Sequence, residues 1–75
     1  MEQSKLDSLL KKRSELENLK LHYLNLYTII LNEQFSIKDD KESFIANETK
    51  RIYTEDQLKE ICLKLKKLTE FINGN

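Results

Sequence analysis

The sequence predicts an all-α fold: a long antiparallel helical hairpin whose returning arm is kinked or broken, three helices in all, dimerising into a helical bundle. Two observations carry this. The 75 residues contain no proline, and the one glycine, Gly74, stands second from the end. Charged residues make up 35% of the chain and Leu, Lys and Glu abound, a composition of long helices rather than of a turn-rich β fold.

Without proline or internal glycine, helix breaks must be announced by caps. Asp39 with Glu42, and Thr54 with Gln57, each place an N-cap residue three positions before an acid or amide, so that side-chain oxygens satisfy the free N–H groups of a first turn. The acidic pairs Asp39/Asp40 and Glu55/Asp56 stand where the helix dipole favours negative charge. Lys64, Lys66 and Lys67 stand toward the far end, where it favours positive charge. Asn73-Gly74 reads as a stop. The resulting map is one domain over 1–75, with helices over about 3–35, 40–53 and 55–73 and a polar connection around Ser36 to Asp39. At ~1.5 Å per residue the first helix is roughly 50 Å long, and the other two end to end nearly match it, as a hairpin requires.

The third helix has one clear apolar stripe, with Leu58, Ile61, Leu65, Leu68 and Ile72 at steps of three and four, Cys62 and Phe71 on its flanks and only Leu63 out of phase. The first helix carries more. Nine of the thirteen residues from Leu19 to Leu31 are apolar, and Leu19, Tyr23, Leu24, Leu26, Tyr27, Ile30 and Leu31 cover close to half the circumference, with Leu21 and Ile29 outside even that. One returning helix does not cover so much. A strand reading of this β-rich stretch fails, because the alternation loses phase at Tyr23-Leu24 and no turn residue bounds it.

A chain this short buries only roughly 60 to 65% of the surface its unfolded form exposes. With Cys62 the one cysteine, no internal disulfide adds stability, and oligomerisation is the expected remedy. Thirteen Lys plus Arg balance thirteen Asp plus Glu, and the balance is local: five of each sign in 1–35, four of each in 36–53 and four of each in 54–75. No basic arm exists to neutralise phosphates or an anionic membrane surface. The longest apolar-rich stretch is interrupted by Lys20, His22, Asn25 and Thr28 and is too short to span a bilayer. The N-terminus lacks the apolar core of a secretory signal, so the expected location is cytoplasmic.

No catalytic, cofactor or metal site is expected. His22, the one histidine, falls on the polar side with Lys11, Glu15, Asn18 and Asn25. With Cys62 it would still leave a metal two ligands short. Cys62 lies on an apolar stripe, where a thiol is inert. Adjacent carboxylates diverge on a helix and are already explained as N-terminal charges. A phosphate loop needs glycines the chain lacks. Asn18, Asn25 and Asn32 recur every seven residues, as a solvated face or as one interfacial amide that sets register.

What remains is a non-enzymatic interaction protein: an adaptor, assembly factor or inhibitor acting by helix packing on a larger protein partner, and a homodimer. Leu21, Leu26 and Ile29 are the expected partner-binding residues, being the apolar positions hardest to cover within one chain. The alternative is a small dimeric helical nucleic-acid-binding regulator, in which Lys11, Lys12, Arg13, Lys50 and Arg51 make a contact to anions.

Overall fold

The computed structural model describes residues 2–74. Two helices, α1 (Gln3–Ile37) and α2 (Lys41–Asn73), pack antiparallel as a hairpin. The molecule measures 57 × 14 × 13 Å with a radius of gyration of 17.0 Å. A globular chain of this length would have a radius near 11 Å. Its accessible surface is 5871 Å², against about 4,900 Å² for a compact protein of this mass.

The turn is set by Asp40, one residue later than the expected Asp39. The Asp40 carboxylate accepts from the Ser43 backbone N–H at 3.3 Å and from the Ser43 hydroxyl at 2.8 Å. Those bonds, the hydroxyl's foremost, hold its pKa below the usual carboxylate range. The Asp40 N–H in turn donates to Ile37 O at 2.9 Å, closing a tight turn at the end of α1. The first helix therefore runs two residues beyond the expected 35.

The expected break at Thr54 does not occur, so the returning arm is one helix and the chain has two helices rather than three. Thr54 lies inside α2, 4% exposed, and its hydroxyl donates to Lys50 O at 2.8 Å. A threonine hydroxyl is satisfied either by capping a new helix or by the carbonyl four residues back. Packing on α1 along the whole of α2 favours the uninterrupted helix.

On α1 a row of less exposed positions runs Leu6, Leu9, Arg13, Leu16, Lys20, Tyr23, Tyr27, Ile30, Gln34, Ile37, with Leu10 and Leu26 beside it; on α2 one runs Asn47, Arg51, Thr54, Leu58, Ile61, Leu65, Leu68, Ile72, with Ser43, Glu48, Glu55, Gln57 and Thr69 beside it. Both rows alternate steps of three and four, the spacing of a coiled-coil seam. Half of that seam, toward the open end, is mostly apolar: Leu6, Leu9 and Leu16 on α1, interrupted by Arg13, and Ile61, Leu65, Leu68 and Ile72 on α2. The half nearer the turn is more polar, with Tyr27 and Gln34 among Tyr23, Ile30 and Ile37 on α1 and with Asn47, Arg51 and Thr54 on α2. Only two apolar side chains, Ile30 (7% exposed) and Ile61 (3%), are buried among the described residues. Two polar ones, Asn47 and Thr54, are enclosed with them.

Candidate interaction surface

In the half of the hairpin nearer the turn the usual distribution is inverted. Leu21, Leu24, Ile29, Leu31, Phe35, Phe44, Ile45, Ile52 and Tyr53 are all exposed there, Phe35 to 80%. Polar groups share the seam between them with Ile30 and Ile37. Exposed apolar surface of this extent marks places where another chain packs.

The polar seam is well made. Arg51 donates from Nε and Nη2 to Glu48 at 3.0 and 2.8 Å, and from Nη1 to Glu55 at 2.7 Å. Each carboxylate also reaches across to α1: Gln34 Nε2 donates to Glu48 at 2.8 Å and the Tyr27 hydroxyl to Glu55 at 2.8 Å. Glu48 is held below its ordinary pKa by Arg51 first, and Glu55 by the Tyr27 hydroxyl first and Arg51 after it. The same bond to Glu55 raises the Tyr27 phenol. Arg51, bonded to two carboxylates, is held above its ordinary value. Asn47 Nδ2 donates to Ile30 O at 2.9 Å, while its buried Oδ1 has no partner.

These cross-links fix which side chains share a flank. Glu48 and Glu55 emerge beside Tyr27 and Gln34, so the row next to them on α1 is Leu24 and Leu31 and the row beyond is Leu21, Thr28 and Phe35. On α2 the corresponding outer row is Ile45 and Ile52. The opposite flank holds a groove of about 260 Å³ lined by Tyr23, Leu26, Ile29, Ile30, Glu33, Lys50, Tyr53 and Thr54. Partial burial there, and then the neighbouring Tyr53, raise the Tyr23 phenol.

The structure thus separates the three expected partner-binding residues. Leu26 and Ile29 line one groove together, while the exposed Leu21 belongs to the opposite flank. The five expected anion-contact residues are also dispersed. Lys12 lines a second groove, about 490 Å³, at the open end, with Leu9, Leu16, Lys64, Lys67, Leu68 and Phe71. Lys11 faces outward, Arg13 lies at the seam, Lys50 lines the other groove and Arg51 is bonded to Glu48 and Glu55. Across the Asn47–Ile30 register, Lys50 stands roughly 22 Å along the axis from Lys12.

Three features were not anticipated from the sequence: the buried Asn47, the Arg51 network, and an exposed row of Leu21, Leu24, Thr28, Leu31 and Phe35. The row was readable from its alternating steps of three and four. Asn18, Asn25 and Asn32, whose seven-residue spacing allowed either a solvated face or one interfacial amide, are all exposed. Cys62, expected on a covered stripe, is exposed. The ring of His22, itself exposed, meets Tyr23 edge-on at 5.6 Å.

Among the described residues no cluster of His, Cys, Asp or Glu is placed to hold a metal ion, and no helix is long and apolar enough to cross a membrane. No protein-family model, curated protein or solved structure matches the chain.

Proposed function

We propose that this chain is a non-enzymatic protein–protein interaction module, an adaptor, assembly factor or inhibitor that works by packing its helices on a larger partner and that is itself a homodimer. The observation that carries this reading is the inversion near the turn. Among the described residues the hairpin buries two apolar side chains, Ile30 and Ile61, and leaves twelve large ones exposed, which puts its main attractive surface on the outside. Small domains with so little core gain their stability from association. The two flanks divide the work: the groove of Leu26 and Ile29 takes the partner, and Leu21 belongs to the surface opposite.

The test uses the full chain as bait, wild type against Leu26→Glu with Ile29→Glu. Loss of the captured partner with helical content retained supports the reading. Undiminished capture of the same partner by the variant, with an unchanged oligomer, overturns it.

A further inference from the structure

The groove at the open end differs from the one near the turn in its charge. Its floor is apolar, built by Leu9, Leu16, Leu68 and Phe71, and every polar side chain that lines it is a lysine: Lys12 from α1, Lys64 and Lys67 from α2. Among the described residues no carboxylate lines it, and neither ion pair of the hairpin involves these lysines. The groove near the turn, by contrast, sets Glu33 against Lys50.

Charge alone does not make this a site for any anion. Glu15, Glu60 and Glu70 stand three or four positions from Lys12, Lys64 and Lys67 on the same helices, outside the lining, and offset the lysines at long range. A polyanion with no apolar surface gains little there. Within the groove the three ammonium groups rim an apolar floor, over which their own methylene stems also lie. The complementary occupant has an apolar stripe bordered by carboxylates.

The cations stand on both walls, Lys12 on one helix and Lys64 and Lys67 on the other, so the carboxylates they match lie on both sides of the stripe. A fatty acid has a single headgroup and answers only one wall. The floor from Leu9 to Leu16 runs roughly 10 Å, two turns of an α-helix. The two grooves also open on the same flank. Lys12 directly precedes the seam residue Arg13 as Leu26 and Ile29 precede Tyr27 and Ile30, and Lys64, Lys67 and Phe71 precede Leu65, Leu68 and Ile72 as Lys50 and Tyr53 precede Arg51 and Thr54. A helix lying along that flank meets both in turn.

We propose that the open-end groove takes an acidic amphipathic helix of a protein partner, its apolar residues on Leu9, Leu16, Leu68 and Phe71 and its carboxylates against Lys12, Lys64 and Lys67. The inference rests on the reading of the chain as a module that packs helices on a partner, and adds the charge of the partner's contacting helix.

A peptide of about 14 residues is too short to hold a helix alone, so the probe is a stapled one, with leucines at steps of three and four and glutamates along both sides of that stripe. Its control carries glutamine in place of each glutamate. Titrated into the isotope-labelled full chain, the acidic peptide should shift the amide resonances of Lys12, Lys64, Lys67 and the floor residues. It should bind about tenfold tighter than the control, the sum of three individually weak exposed ion pairs. Lys12→Gln with Lys64→Gln and Lys67→Gln, all at exposed positions, should erase that difference. Equal affinity of the two peptides overturns the inference, as do shifts confined to the groove near the turn or a preference that survives in the triple variant. Displacement of the acidic peptide by a heparin fragment would reduce the site to a general anion contact and overturns it too. So does perturbation of the groove by dodecanoate or anionic vesicles but not by the peptide, which would make the occupant a lipid. The peptide comparison is made on the wild-type chain and decides even if the triple variant unfolds. Capture of a larger partner through Leu26 and Ile29 is scored with a different variant, so each reading can fail alone.

Discussion

Asn47 Nδ2 donates to the Ile30 carbonyl oxygen across the helix interface at 2.9 Å, a bond from one helix's buried side chain to the other's backbone. It ties α2 to a single height on α1. The amide oxygen beside it is buried without a partner, so this specification of register costs stability.

Asn47→Leu should therefore raise the stability of the hairpin by about 1 kcal/mol, because an apolar group of similar volume replaces an orphaned acceptor. The same change should loosen the choice of pairing, since a polar residue at a seam position sets register and oligomer state. Urea unfolding at fixed protein concentration measures the first effect, and a broader mass distribution reports the second. A drop in stability would show that the Asn47–Ile30 bond outweighs the unpaired oxygen.

Ile61→Ala removes the most enclosed apolar side chain, 3% exposed. The loss should be about 3 kcal/mol, from transfer and cavity terms together. The exposed Leu63, half a turn away on the same helix, should tolerate alanine with little change. Paired denaturation curves separate the two, and equal losses would contradict the assignment of the seam.

The pH profile of stability should have two falling limbs. Glu48 and Glu55 have folded pKa values below their ordinary 4.5, so their contribution is full above that value and is lost as pH falls through the folded one. Tyr27 is raised above its ordinary 10.0, so its contribution is full below that value and is lost as pH rises through the folded one. The thermal midpoint should be level between these windows. Arg51→Met should shrink the acid limb and Tyr27→Phe the alkaline one.

Retention on heparin at low salt tests the anion-contact alternative. With Lys11, Lys12, Arg13, Lys50 and Arg51 dispersed over the hairpin and charge balanced at zero net, the chain should flow through. Retention released by salt would mean that assembly gathers these cations into a phosphate-binding patch.

Much of the architecture is legible without coordinates. The absence of proline and internal glycine dictates long helices, and a short polar link between arms of equal length dictates a hairpin. The excess of apolar surface between Leu19 and Leu31 is visible too, and the structure leaves much of it exposed. Capping signals alone misplaced two features. Asp40 rather than Asp39 caps α2, because Ser43 supplies the matching N–H and hydroxyl. Thr54 caps nothing, because the Lys50 carbonyl satisfies it within a continuous helix.

Periodicity also could not choose the inward face of α1. The rows Lys20, Tyr23, Tyr27, Ile30, Gln34 and Leu21, Leu24, Thr28, Leu31, Phe35 are adjacent and have the same alternating steps, and the second is the more apolar. The first nevertheless faces α2 near the turn, because Tyr27 and Gln34 meet Glu55 and Glu48, and the Ile30 backbone meets Asn47, at one register. Helix, hairpin and apolar excess follow from local composition and spacing. Which stripe was left outside depended on polar partners 14 to 28 residues apart, a match that exists only once the two arms lie side by side.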